Sequence, residues 1–375
     1  MIALKIFKGR YLPISTWPQA CQSQWFAAFS ESDLFETDKP ATRWRAATVK
    51  KTRDGFGTFI SWIIFSDIFD NDSDVVTLVT RDLIKGFIKT LEASKYAPYT
   101  IYCHIQEVYD AARVMDPEQN WSWLKSAVKK LRSRSRPVRN KLKRLQPADA
   151  LERLGRSLIQ KSQTDKNLSF YKRALMFRDG LMIALLIRRP FRLKNFTNLR
   201  LEDNLIIHEA GASFLFSADE MKGKRPFEVA FPQEYFEWLQ IYLINYRPYL
   251  LSLTQEGDEL TLKMNISGHN KALWISNEGR ALTDGSLRNT IRKRTKKEFD
   301  TDMTPHLFRD ASVTTLIRHA PESARITRSI LGHTSIDMTN AHYNQARMIE
   351  TSLRHTQLIK SLTDKTTQEN ISCAP

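Results

Sequence analysis

The sequence predicts a mainly α protein in two domains, with a small β-sheet inside the second, and three observations lead there. Its 375 residues exceed what one hydrophobic core usually organises. Apolar residues recur at spacings of three and four over most of the chain, the period of a helix with one buried face. Only between Leu201 and Phe231 does the period fall towards two, the signature of strands.

Taken in order, the first domain runs from residue 1 to 128, with residues 1–38 left open: Trp17 and Trp25 can pack inward or belong to a separate arm. From Lys39 to Val128 the pattern is helical, as in Phe56, Phe59, Ile60, Ile63, Ile64 and in Leu83, Phe87, Ile88, Leu91. Breaks are expected at Asp70–Asp74, Ala97-Pro98 and Asp116-Pro117, where turn residues gather. Residues 129–146 read as a basic linker rather than a core element. The second domain, residues 147–362, starts at Pro147-Ala148-Asp149 and continues with a long helix over Asn167–Ile187. Ala212–Phe216, the polar turn Asp219–Lys224 and Phe227–Phe231 read as strand, turn, strand, and Pro232 ends the hairpin. Helices are expected again at Pro232–Leu251, Asp284–Phe299, His306–Arg318, Ser323–Leu331 and Arg347–Leu362, with a disordered tail at 363–375.

Charge narrows the class of partner. Lys and Arg number 57 against 41 Asp and Glu, a net charge of +16, which points to a polyanion such as nucleic acid. The excess is local: residues 1–128 hold 15 basic and 15 acidic side chains, whereas Lys129, Lys130, Arg132, Arg134, Arg136, Arg139, Lys141, Lys143 and Arg144 stand together without one acid. Such a run suits phosphate contacts. An anionic membrane is the weaker candidate, because no apolar run approaches the roughly 18 residues of a spanning helix, and Met1–Phe7 lacks the apolar length and cleavage site by which a signal peptide would be expected. The expected location is cytoplasmic. Cys21, Cys103 and Cys373 lack paired spacing, and the spacing of His306, His319, His333 and His342 fits no zinc pattern, so neither a metal nor another cofactor is expected.

The informative residues stand near the C-terminus: Thr304-Pro305-His306-Leu307-Phe308-Arg309-Asp310, then Leu331-Gly332-His333, then His342-Tyr343. A His-x-x-Arg pair puts both side chains on one helical face. His306, Arg309, His333 and Tyr343, separated by 3, 24 and 10 residues, together resemble the C-terminal signature of the tyrosine recombinase (phage integrase) family. The resemblance implies an upstream arginine after a long helix; Arg192, in Arg192-Leu193-Lys194-Asn195 before Leu199-Arg200-Leu201-Glu202-Asp203, matches its position, with Arg188 and Arg189 as close competitors. At Asn195 the sequence departs from the family, which commonly has Glu there. The resemblance also implies a lysine on a hairpin turn, matched by Lys222 with Lys224 as the alternative. Its motifs cover about Pro147 to Ile349, and the first domain fits the family's core-binding domain by position and character.

The residue types suit the chemistry independently of the family. A phosphodiester is an anion with a poor alkoxide leaving group, so metal-free cleavage needs positive charge, a nucleophile and a proton donor. Guanidinium groups such as those of Arg192 and Arg309 stay charged and grip two phosphate oxygens at once. Tyr343 serves as nucleophile through a phosphotyrosine that conserves bond energy. With an ordinary pKa of about 10, a tyrosine needs nearby cations and an imidazole to ionise, which assigns His306 as base or hydrogen-bond donor. His333 then donates to a phosphate oxygen, and Lys222 protonates the leaving 5′ oxygen as general acid. What the resemblance implies is site-specific strand exchange on double-stranded DNA through a 3′-phosphotyrosine. It further implies a two-domain clamp, a homo-tetramer on paired sites, a mobile element that is integrated or excised, and room for accessory DNA-bending or directionality proteins. Two rivals remain open: a catalytically inactive DNA-binding clamp, and a relaxing enzyme of the type IB topoisomerase kind.

Overall fold

Helices form where the apolar spacing predicts them, and side-chain caps fix several of their ends. The computed structural model describes residues 7–30, 39, 41–135, 142–209, 211–221, 223–254, 259–266 and 270–319. The chain divides into two units, Met1–Asn140 and Lys141–Pro375.

The first unit holds α1 (Gln19–Phe29), α2 (Ala46–Phe65), α3 (Val75–Leu78), α4 (Arg81–Ala93), α5 (Pro98–Met115) and α6 (Ser122–Arg134). Asp74 caps α3 by accepting from the Thr77 N–H at 2.8 Å, Thr80 caps α4, and Pro98 opens α5 where a missing N–H costs nothing. Phe56, Phe59, Ile60 and Ile63 of α2 are buried together with Phe87 and Leu91 of α4 and Ile105 and Val108 of α5. Each such side chain contributes about 1.5–3 kcal/mol. Trp17, Cys21 and Trp25 join the same core, so the described part of residues 1–38 packs inward.

The basic run is less of a linker than its composition suggests. Lys129, Lys130, Arg132 and Arg134 lie on α6, where Val128 is buried and Leu131 packs on the core. Arg132 lies over the rings of Tyr99 and Tyr102, at 5.0 and 5.1 Å from their centroids. The reason is periodicity: Leu124, Val128 and Leu131 keep a helical stripe through the charged stretch. Arg136, Arg139 and Lys141 lie outside the described residues, while Lys143 and Arg144 belong to a 3-10 turn, Leu142–Arg144.

The second unit is built on α7 (Ala148–Thr164) and α8 (Phe170–Arg188). Residues Phe177–Ile187 of α8 are buried on every side, which makes it the central helix. Gly155 and Gly180 let the two helices touch: a Cβ on Gly155 would stand 2.9 Å from the Gly180 carbonyl oxygen, and one on Gly180 would stand 2.7 Å from that of Gly155. After α9 (Leu193–Thr197) come β1 (Leu205–His208), β2 (Gly211–Phe216) and β3 (Phe227–Ala230), an antiparallel sheet in the order β1-β2-β3. Leu205 pairs with Phe214, and Phe216 with Phe227. The alternation predicted for Ala212–Phe216 holds, with Ala212, Phe214 and Phe216 inward and Leu215 outward. The first strand, Leu205–His208, extends the expected hairpin to three strands.

Beyond the sheet run α10 (Phe236–Ile241), a π-helical turn (Tyr242–Tyr246), α11 (Arg247–Leu251), α12 (Glu259–Ile266), α13 (Asp284–Phe299) and α14 (Pro305–His319). Thr283 caps α13, and Asp300 ends it in the left-handed region. Arg178 and Arg294 close on Asp179 in the interior, joining α8 to α13. The helices expected at Ser323–Leu331 and Arg347–Leu362, and the tail 363–375, lie outside the described residues.

Candidate active site

Two elements converge beside the sheet, the C-terminal end of α8 with its continuation into α9, and the first turns of α14. Phe191 anchors the first of these. It is buried and meets Phe214 and Phe216 edge-on, with centroids 5.0 and 5.1 Å apart. Five residues on, Phe196 packs on Trp274, whose Nε1 donates to the Phe196 carbonyl at 3.0 Å. Arg192 is held between these anchors, half-buried, at the N-cap of α9.

α14 is fixed by comparable contacts. Ser312 Oγ donates to the Ile187 carbonyl at 2.8 Å, and the Met303 N–H donates to Thr295 Oγ1 at 2.9 Å just before the helix. This orientation buries Arg309, only 6% exposed, and leaves His306 one turn earlier exposed. Arg309 Nη1 donates to the carbonyl of Pro190, two residues before Arg192. Phe191, Arg192, Asn195, Phe216, Met221, Phe227 and Arg309 line one small pocket.

The electrostatics follow from that crowding. Burial pulls the basicity of Arg309 down to about 10, the charge of Arg192 pulls the same way, and Asp310 works against both. Burial also lowers that of Arg192. Two guanidinium groups sharing a partly dry pocket favour any anion that enters it.

The competing arginines are engaged elsewhere. Arg188 pairs with Glu152 at 2.9 Å and with Glu234 at 3.6 Å. Burial alone would raise the Glu152 carboxyl, yet hydrogen bonds from Arg188, Tyr235 and Arg156 outweigh it and hold that group at about 2. Arg189 Nε donates to the Ala230 carbonyl at 2.9 Å, tying the end of α8 to β3. Arg192 is thus the one of the three that lines the pocket with Arg309, a distinction of partners that sequence spacing does not carry.

The β2–β3 turn borders the same pocket through Met221. Glu220 accepts from the Ser217 N–H at 2.8 Å and from Asn204 Nδ2 at 2.9 Å, and the buried Asn204 also donates to the Leu215 carbonyl at 3.2 Å. Lys224 is exposed at a φ of 49°. Lys222, His333 and Tyr343 lie outside the described residues. The sequence reading missed Asn204 and Glu220 as supports of the turn; the only sign of them is a pair of polar residues flanking a hairpin.

A basic groove of about 880 Å³ lies elsewhere in this unit, lined by Arg144, Arg292, Lys293, Lys296 and Lys297 with Asp300 and Asp302. Arg144 and Arg292 both reach Asp302, at 3.0 and 2.7 Å. Among the described residues no group of His, Cys, Asp and Glu could hold a metal ion, and no helix is long and apolar enough to cross a membrane.

Residues 157–350 match the model of the phage integrase family, just over half of the chain. The chain belongs to the phage integrase family. Its fold resembles the XerH site-specific recombinase bound to palindromic difH substrate in a post-cleavage complex, with a TM-score of 0.53 and 14% identity over 91% of this chain and 98% of that one. The pre-cleavage XerH complex gives 0.51 and 13%, with the same coverage. No curated protein matches the chain. Arg192, His306, Arg309, His333 and Tyr343 all fall within the family match, as do the sheet and its turn.

Proposed function

We propose that this integrase-family protein is a site-specific DNA recombinase that cuts and rejoins double-stranded DNA through a 3′-phosphotyrosine, as a homo-tetramer on paired sites, to integrate or excise a mobile element. The observation that carries the reading is the meeting of Arg192 with the buried Arg309 in one pocket, while Arg188 and Arg189 are committed to Glu152 and Ala230. Such a pair fits the two non-bridging oxygens of a phosphodiester and the extra charge of a pentacoordinate transition state.

The proposed step balances as follows. Tyr343 Oη gives its proton to His306 and forms a bond to phosphorus, and the bond from phosphorus to the 5′ oxygen breaks. The 5′ oxygen takes a proton from Lys222, or from Lys224 in its place, and His333 donates a hydrogen bond to a phosphate oxygen. Attack by a 5′ hydroxyl of the partner duplex reverses the step, so the exchange draws on no ATP. Lys129, Lys130, Arg132 and Arg134 on α6, Lys143 and Arg144 after it, Arg136, Arg139 and Lys141 between them, and the lysines of the α13 groove supply charge for backbone phosphates, which position the protein without reading sequence. The fold shared with XerH, whose solved complexes hold its difH substrate, supports DNA as the partner.

The test is a nicked suicide duplex built on the sequence that the full chain selects from a random library. Wild type is expected to give a covalent protein–DNA band that Tyr343→Phe abolishes. Tight binding without any band from wild type would favour the inactive clamp instead.

A further inference from the structure

The family commonly has an acid where this chain has Asn195, and the surroundings of that residue give the difference a role. Asn195 stands on α9, one turn after Arg192. Its Nδ2 donates to the Met221 Sδ at 3.2 Å and lies 3.5 Å from the Glu220 carbonyl oxygen. Both partners can only accept, so chemistry itself fixes which end of the amide faces the turn. A carboxylate here would set a third acceptor against them, with no proton to share.

The turn these contacts reach is otherwise tied to the sheet. Glu220 and the buried Asn204 bind it to the C-terminal end of β2 and the start of β1, and the Lys224 N–H donates to the Met221 carbonyl at 3.0 Å. Asn195 alone among these links joins the turn to the short helix that begins at Arg192, and it lines the same pocket as Arg192, Met221 and Arg309.

We infer that Asn195 is a positioning residue whose amide holds the β2–β3 turn against α9, so that a turn lysine reaches the leaving oxygen of the phosphate gripped by Arg192 and Arg309. The inference rests on the recombinase reading above. Asn195 is then no decayed acid: the turn needs a donor at this position, and restoring the family's usual residue type impairs the site. The step affected is the proton transfer. As the tyrosine oxygen bonds to phosphorus and the P–O5′ bond breaks, the 5′ oxygen gains a proton from the lysine ammonium, which becomes neutral and recovers a proton from water.

Two variants and two substrates test it. Asn195→Asp keeps the side-chain shape but removes the donor; Asn195→Ala removes it without adding charge. Suicide duplexes carry either an ordinary 5′ oxygen or a sulfur at the scissile bridge, which leaves as a thiolate without needing a proton. Misplacement of a proton donor is expected to slow Asn195→Asp about 10- to 100-fold on the oxygen duplex, and Asn195→Ala somewhat less. On the sulfur duplex both should come within about threefold of wild type, whereas Arg309→Gln, which lacks charge on the phosphate, should stay slow on both substrates. Hydrogen exchange at the amides of residues 217–226 should quicken in Asn195→Asp and stay unchanged in α14. Equal or faster cleavage by Asn195→Asp, slow cleavage that sulfur does not relieve, or unchanged exchange in the turn would each overturn the inference. Absence of any adduct from wild type would instead remove the recombinase reading beneath it.

Discussion

Two arginine pairs in the second unit make opposite use of the same side chain. Arg178 and Arg294 close on one carboxylate: Arg178 donates to Asp179 at 2.7 and 3.1 Å, Arg294 donates to its other oxygen at 2.7 and 2.9 Å, and Asp179 is only 5% exposed. One carboxylate there is shared by two guanidinium groups inside the protein and pins α8 to α13. At Arg309 burial, and after it the charge of Arg192, instead lower the ease of protonation, and Asp310 offsets them only in part; at Arg192 burial lowers it. The first pair joins two helices through a shared acid, whereas the second shares a pocket in which burial and like charge both work against the Arg309 guanidinium. On the recombinase reading, an anion that enters the pocket relieves that crowding and stabilises the bound state.

The contrast can be broken at either pair. The largest effect is expected at Asp179, because Asp179→Asn takes the charged partner from the buried Arg178 and the half-buried Arg294: about 3–5 kcal/mol of stability should be lost in urea unfolding. A loss under about 1 kcal/mol would mean that the pair is solvated and not structural.

At the other pair, function and stability should separate. Arg192→Gln or Arg309→Gln is expected to lower suicide-duplex cleavage by about 10²- to 10³-fold, while the urea midpoint stays level or rises. Added inorganic sulfate should raise the melting temperature of wild type more than that of Arg309→Gln. If both variants unfold as readily as Asp179→Asn, the two pairs are alike and the contrast fails.

The smallest effect concerns Arg188, the arginine that the pocket leaves out. Its partner Glu152 is held at about 2, below an ordinary carboxyl, so the ion pair adds stability at neutral pH that is lost as pH falls from the ordinary carboxyl range towards 2. The advantage of wild type over Glu152→Gln is expected to be about 1 kcal/mol at pH 7 and to vanish near pH 2. Comparison of urea midpoints across that range measures it, and an advantage that grew on acidification would give Arg188 some other role.

Much of this architecture is legible in the sequence, and the exceptions have physical causes. Asp284–Phe299 is read to the residue because Thr283 supplies a side-chain cap and an apolar stripe, Leu287 and Ile291, runs through a charged helix. α12, Glu259–Ile266, escapes notice because its apolar residues form no single stripe, and β1 because four residues are too few to display a period. Composition misleads at residues 129–134, where charge hides the spacing of Leu124, Val128 and Leu131. Within the site, the three-residue spacing of His306 and Arg309 places them on one helical face but does not single them out; only the joint pattern with His333 and Tyr343, and the family resemblance it carries, does. The choice among Arg188, Arg189 and Arg192 does not, since it depends on Glu152 and Ala230, which are distant in the chain.

The central claim is that Arg192 and Arg309 exist to meet the charge of a phosphate, and a methylphosphonate at the scissile position tests it most directly. Replacing one charged oxygen by a methyl group removes the need for one cation. Arg309→Ala is expected to cleave the methylphosphonate duplex at least about 10²-fold faster than it cleaves the ordinary diester. Equal inactivity of that variant on both duplexes, with wild type active on the diester, would contradict the account.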